Sequence, residues 1–179
     1  MIEDREVHWY AIRVSYGRVL KFGAQLQELG AEYFIPMCIK KITKDSKTES
    51  VVVPAITNLC FVHSSKDWLD ELFSKMGETR YVHFIWDKAT QSPIIVPDKA
   101  MSDFIRISSV MSDEILYLKE LAPKLRTGRK VRILEGPFKG VEGVIVRVRK
   151  SRRVMVELPG MLAVATTFIA PQNLELIEP

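Results

Sequence analysis

Residues 128–143 read Gly128-Arg129-Lys130-Val131-Arg132-Ile133-Leu134-Glu135-Gly136-Pro137-Phe138-Lys139-Gly140-Val141-Glu142-Gly143. Val131 and Ile133 alternate with charged residues, which is the period of a half-buried strand. Gly136-Pro137 permits a tight turn, Gly140 a second one, and Gly143 a close backbone approach. Phe138 lies between the turns at a loop tip. A large aromatic there is either a plug for the end of a small barrel or a contact for a partner. Val141, Val144, Val146, Val148, Val154 and Val156 follow, with Gly160 beyond them. Short valine-rich runs between glycine turns predict a small antiparallel barrel. Valine and glycine both disfavour helix, so a helical version of this tail is poor on propensity.

Upstream, residues 112–127 contain Pro123 and six charged side chains. They read as a partly helical connector. The chain before them has a different texture. Val7–Val14 (VHWYAIRV) is rich in β-branched and aromatic residues and predicts a strand. Val19, Phe22, Gly23, Leu26 and Leu29 recur at helical spacing, with Gly30 as a natural stop. Ala31–Ile39 reads as a second strand, with Pro36 at an edge or bend. Lys40–Ser50 (KKITKDSKTES) is polar and aperiodic, and reads as a mobile loop or hairpin tip.

Val51–Val53 and Asn58–His63 predict further strands. Ser64-Ser65-Lys66-Asp67 resembles a capping box ahead of a helix carrying Trp68, Leu69, Leu72, Phe73 and Met76, closed by Gly77. Arg80–Trp86 predicts a strand and Pro93–Val96 a short apolar piece. Asp98 can cap a helix through Val110, with Met101, Phe104 and Ile105 facing inward. An open sheet with packed helices satisfies the resulting order, β-α-β-β-α-β-α.

The class is thus α+β: an N-terminal α/β sandwich with a mainly antiparallel sheet and flanking helices, then a small SH3-like barrel. The expected domains are 1–111 and 127–179, joined by a linker at 112–126.

Composition narrows the function. The chain has 179 residues, of which 47% are hydrophobic, and a net charge of +4. That balance excludes a disordered chain. No apolar run approaches the roughly 18 residues of a membrane helix. The N-terminus is charged with no apolar segment behind it, so a cytoplasmic protein is expected. Cys38, Cys60, His8, His63 and His83 are scattered without metal-ligand spacing, so neither metal nor cofactor is expected. No nucleophile elbow, P-loop or dinucleotide fingerprint is present, and no catalytic residue is assigned. Residues 1–118 carry 14 lysines and arginines against 16 acids, whereas residues 119–179 carry 12 against 6. The basic character belongs to the last third, which suggests an electrostatic role such as contact with nucleic acid.

The stretch 128–143, with its Gly136-Pro137-Phe138-Lys139-Gly140 turn, resembles a KOW motif, the SH3-like barrel of NusG-type transcription factors and some ribosomal proteins. Independently, Trp9-Tyr10-Ala11-Ile12, an amphipathic helix and then Phe34-Ile35-Pro36 resemble the NusG N-terminal domain. The two halves follow in family order, over roughly Val7 to Ile177.

The resemblance implies a non-enzymatic elongation or antitermination factor. Its N-terminal domain docks on the coiled coil of the RNA polymerase clamp and reduces pausing and termination. Its KOW domain recruits a second factor, such as Rho or a small-subunit ribosomal protein. A monomer with no membrane partner is implied. Trp9 and Tyr10 match the first strand of the polymerase-binding domain. Where the family has P-L-F-P-G-Y-V-F-V, this chain has Pro54-Ala55-Ile56-Thr57-Asn58-Leu59-Cys60-Phe61-Val62. Ile56 and Leu59 then stand where family aromatics enter the clamp pocket. Apolarity is kept but aromatic area is lost. That departure is similar to specialised UpxY-type antiterminators of capsular polysaccharide operons.

Pro137, Phe138 and Lys139 are the candidate KOW partner site. Ser15, Tyr16 and Arg18, at the start of the first helix, are candidates for a polymerase loop or DNA, with ordinary capping as the alternative. Arg147, Arg149, Lys150, Arg152 and Arg153 are candidates for nucleic-acid contact, with a solvated turn as the alternative. A ribosome- or RNA-binding protein acting through the basic barrel is the competing function.

Overall fold

The structure is a computed structural model, described here for residues 6–76, 81–118, 128–148 and 150–177. In chain order its first elements are β1 (Val7–Val14), α1 (Val19–Glu28), β2 (Glu32–Phe34), β3 (Met37–Lys44), β4 (Lys47–Pro54), β5 (Leu59–Ser65) and α2 (Lys66–Ser74). Then come β6 (Val82–Phe84), β7 (Trp86–Asp87), β8 (Ser92–Pro93), β9 (Ile95–Val96), α3 (Asp98–Ser108) and β10 (Leu116–Leu118). The last are β11 (Lys130–Ile133), β12 (Glu142–Val148), β13 (Ser151–Leu158), β14 (Leu162–Ala165) and β15 (Leu174–Leu176). The class is α+β, with antiparallel sheets. By contacts the chain divides into two compact units, Met1–Pro36 with Pro54–Asp98, and Met37–Val53 with Lys99–Pro179.

The sheet of the first unit has the order β2-β5-β1-β6, and β9 also pairs with β1. Every pairing is antiparallel. The register sets Tyr10 opposite Val62 and Ile12 opposite Cys60. These side chains pack with Val19, Phe22 and Leu26 of α1 and Leu69 and Phe73 of α2. Phe22, Leu26 and Leu69 are fully buried, each worth about 2 kcal/mol relative to exposure.

Helix α1 ends as its sequence requires. Gly30 takes a left-handed φ of 68°, and the Ala31 and Gly30 amides donate to the Leu26 and Gln27 carbonyls at 2.9 and 3.0 Å. This paired closure satisfies carbonyls that the helix leaves open. Helix α2 is capped by Ser65, one residue later than the capping box suggests, with its Oγ accepting from the Trp68 amide at 3.4 Å. Gly77 and Arg80 lie outside the described residues.

Three expectations need correction and a fourth is narrowed. The Ala31–Ile39 strand is two strands, because Pro36 interrupts the ladder between β2 and β3. Of the two readings of Lys40–Ser50, loop or hairpin tip, the hairpin is the one found, and the segment forms most of β3–β4. Its turn residues Asp45 and Ser46 both have positive φ, 49° and 65°, the conformation a two-residue hairpin turn demands. The hairpin reads as aperiodic because most of its residues are exposed and no apolar face marks it. Helix α3 buries Met101, Phe104 and Ile107, with Ile105 only half-buried. Finally, the described part of the connector holds a strand: Leu116–Leu118 pairs with β14, and Leu116 and Leu118 pack on Val146, Met155, Ala163 and Ala165. Pairing satisfies the open edge of β14, a gain that local propensity does not register. Residues 119–126 of the expected linker lie outside the described residues.

The barrel of the second unit is built on a six-stranded sheet in the order β10-β14-β13-β12-β11-β15. Gly143 sits where β12 crosses close to β13. A Cβ there would stand 2.4 Å from the Met155 carbonyl oxygen, so only glycine fits.

Candidate functional site

Strand alternation sorts the candidate polymerase-binding residues onto two faces. Tyr10 joins the core under α1 and α2. Burial there raises its phenol pKa, the largest cause, with nearby Lys66 opposing the shift. Trp9, its neighbour, projects from the opposite face with Ala11, Leu59, Phe61 and His63. Trp9 stacks on His63 at 5.0 Å between ring centroids, and the Glu32 carboxylate lies 2.7 Å from His63 Nδ1. Trp9, Ala11, Leu59, Phe61 and Ile56 are all buried, whereas Arg13, opposite Leu59 on the same face, is exposed. The structure thus places Trp9 and Leu59 on one face, four ladder positions apart, and Tyr10 on the other. Ala11 and Phe61 belong to this face as well, and the alternation of β1 with its partner register is the signal that finds them.

Ser15, Tyr16 and Arg18 occupy the turn before α1. Tyr16 and Gly17 both have left-handed φ, 60° and 65°, and Tyr16 is highly exposed. Arg18 is the N-cap residue, and no side chain caps the helix there. Capping is therefore not what the Ser15 hydroxyl does. The Ser15 amide donates to the Tyr81 carbonyl at 2.7 Å, and the Arg18 guanidinium lies 4.9 Å over the Tyr81 ring, a cation–π contact.

Within the second unit, Pro137, Phe138 and Lys139 lie on a loop closed by Gly136 and Gly140, with φ of 84° and 85°. Phe138 is buried, in keeping with a plug. Helix α3 grips this loop. Lys99 Nζ donates to both Asp103 oxygens at 2.7 Å and to the Gly140 carbonyl at 3.1 Å. Asp103 Oδ2 accepts the Glu142 amide at 3.1 Å, and Arg106 Nη1 donates to the Lys139 carbonyl. Asp103 is nearly fully buried, and its charge is matched by these donors. Sequence reasoning missed Lys99, Asp103 and Arg106. The Lys99–Asp103 spacing of four on a helix is a local signal, but their loop partners are about forty residues away. Glu142 in turn accepts from Arg132 Nε and Nη2 at 3.0 and 2.8 Å. That hydrogen bond is the main cause holding the Glu142 carboxyl below its ordinary value. Arg132 Nη1 also reaches Glu175 at 3.1 Å, tying β12, β11 and β15.

The basic hairpin β12–β13 divides its candidates. Arg147 and Arg152 sit directly opposite each other and are exposed. Lys150 lies in the turn at φ 63°. Arg153 faces the other side and is buried, with Nη1 donating to the carbonyls of Glu114 at 2.5 Å and Thr166 at 2.7 Å. Arg153 is thus a staple inside the unit rather than a surface cation. Arg149 lies outside the described residues. Among the described residues no His, Cys, Asp or Glu cluster could hold a metal ion, and no helix is long and apolar enough to cross a membrane.

The first unit is thus an antiparallel sheet backed by two helices and bearing a second apolar face, and the second a small barrel with a glycine-flanked turn. A family profile described as "Transcription termination factor nusG" matches residues 7–105, and the KOW motif matches residues 127–157. The chain belongs to the NusG family and has the general role of a transcription factor of that family. It is also similar to a chain in the structure "Domain interaction in Thermotoga maritima NusG", at 20% identity and a TM-score of 0.47, covering 97% of this chain and 98% of that one. No curated protein matches it.

Proposed function

We propose that this protein is an elongation and antitermination factor that docks on the RNA polymerase clamp through the sheet face bearing Trp9 and Leu59, together with Ile56 of the turn before β5. One observation carries the reading. The central sheet has two apolar faces, and the face opposite α1 and α2 gathers Trp9, Ala11, Leu59 and Phe61. A second apolar face on one sheet needs a partner layer. These residues are buried in this structure, so docking requires that they be uncovered. Binding free energy would then favour one polymerase conformer over another, lowering pausing and termination without bond chemistry. Loss of aromatic area at Ile56 and Leu59 supports a specialised member acting on a particular operon, of the capsular polysaccharide type. The KOW loop at 137–139 would recruit a second factor, Rho or a small-subunit ribosomal protein.

The test is a pull-down from native lysate with the tagged full chain, alongside Ile56→Glu and Arg13→Glu variants. Arg13 is exposed on the same face, so its variant tests docking without disturbing the core. Polymerase recovered with the wild type and lost with Arg13→Glu supports the docking face. Full recovery with both variants removes it. Recovery of ribosomal particles without polymerase moves the function to ribosome or RNA binding through the basic barrel.

A further inference from the structure

On the helix side of the first unit's sheet, a cavity of about 270 Å³ opens between the start of β1, the N-terminus of α2 and β9. It is smaller than the roughly 300–1,000 Å³ of sites for drug-sized molecules, so it suits a small ligand. Two independent observations point to one. The first is the opening of α2: Ser65, Lys66 and Asp67, its N-cap and first two residues, line the cavity. The amides of Lys66 and Asp67 have no acceptor within the helix, and the Ser65 Oγ is taken by the Trp68 amide. The second is Tyr10, which also lines the cavity and is 4% exposed. Among the described residues its hydroxyl makes no hydrogen bond, whereas a buried phenol ordinarily has a partner. Burial raises its pKa, so at neutral pH it is an O–H donor.

The charges of the lining argue against a plain anion. Lys66 Nζ is already engaged, donating to Asp70 at 2.5 Å. Two carboxylates, Glu6 and Asp67, line the same space, and Glu6 Oε2 lies 3.4 Å from His8 Nε2. Donors suited to an oxyanion and acceptors suited to a cation thus share one small cavity, beside the exposed apolar side chain of Ile95. We propose that this cavity binds a free α-amino acid, its carboxylate accepting from the Tyr10 hydroxyl and the amides that open α2, and its ammonium donating to Glu6 and Asp67. A carboxylate strengthens the hydrogen bonds of neutral donors, and the positive end of a helix favours it. The ammonium offsets the two acids, which a phosphate would meet as like charges. Tyr10 and Trp9 look to opposite faces of the sheet, so the inference goes beyond polymerase docking and does not depend on it.

The experiment is thermal unfolding of the full chain with each of the common amino acids in turn, followed by titration calorimetry. An amino acid at about 100 times its dissociation constant should raise the melting temperature by about 5–10 °C. Calorimetry then compares it with the amine that lacks its carboxylate, the acid that lacks its ammonium, and inorganic phosphate. Each should bind at least about tenfold more weakly. Tyr10→Phe should weaken the amino acid about tenfold or more. Because the hydroxyl has no protein partner, the ligand-free variant should melt at or above the wild-type temperature. E6Q/D67N should weaken the amino acid and not the acid that lacks the ammonium. Failure of every amino acid to move the melting temperature overturns the proposal, as does unweakened binding by Tyr10→Phe. Equal binding of phosphate or of the deaminated acid overturns it in favour of a plain oxyanion site. A clear fall in the melting temperature of ligand-free Tyr10→Phe gives the hydroxyl a structural role and overturns it as well.

Discussion

Replacing Asp103 by alanine tests the hold of α3 on the 136–143 loop. Asp103 is 5% exposed, and its Oδ2 accepts the Glu142 amide at 3.1 Å. Alanine leaves that partly buried N–H without this acceptor, a loss of about 1–3 kcal/mol. The ion pair with Lys99 adds less. The Lys99 side chain is 56% exposed, and exposed pairs contribute at most about 1 kcal/mol. The combined loss is about 2 kcal/mol. For a chain of this length each kcal/mol moves the melting temperature about 2–4 °C, so Asp103→Ala should lower it by about 4–8 °C. Asp103→Asn keeps an acceptor for the amide and should lose about half as much. Thermal unfolding followed by circular dichroism measures both, and hydrogen exchange at the Glu142 amide reads the broken bond directly. An alanine variant within about 0.5 kcal/mol of the wild type, below the range for a lost buried bond, would refute the reasoning. So would unaltered exchange at Glu142.

Gly143→Ala should cost more than Gly136→Ala in urea unfolding. The first forces a Cβ against the Met155 carbonyl, whereas the second meets open space and bears only the strain of φ 84°; the reverse order would contradict the close approach of β12 and β13. Arg132 holds the Glu142 carboxyl below its ordinary value of 4.5, so the pair adds stability above that pH and loses it as the pH falls through the lowered value. Arg132→Gln should weaken the acid dependence of the denaturation midpoint, and an identical profile counts against the pair. Cys60 is fully buried, and burial pushes its thiol pKa up. A thiol reagent should label half-buried Cys38 in the native protein and Cys60 only in denaturant, as peptide mapping would read.

Local signals made much of this molecule legible. The run VHWYAIRV is a strand over the residues its composition marks. The heptad-like apolar spacing and Gly30 place α1 to within a residue at its end. The Gly-Pro-Phe-Lys-Gly turn located the barrel, because glycine φ angles and valine propensity act within a few residues of chain. Where the reading failed, the deciding partner was remote. Leu116–Leu118 is a strand because β14 offers an edge. The Lys40–Ser50 segment, open in sequence between loop and hairpin tip, is a ladder because two left-handed residues within it turn it back on itself.

The candidate sites divide along the same line. Residue types marked Phe138 and the arginines of 147–153 as capable of contact, and the family resemblance marked Trp9 and Leu59. Only the register decided that Trp9 and Tyr10 look to opposite faces, that Arg147 opposes Arg152, and that Arg153 is buried against two carbonyls. Asp103 reads in sequence as one more charge on an exposed helix face, and its burial follows from a loop about forty residues away. Propensity and turn chemistry are properties of neighbouring residues, so the chain declares its elements and its family by itself. Facing, burial and charge pairing depend on which distant strand or loop arrives, and the tertiary structure alone decides them.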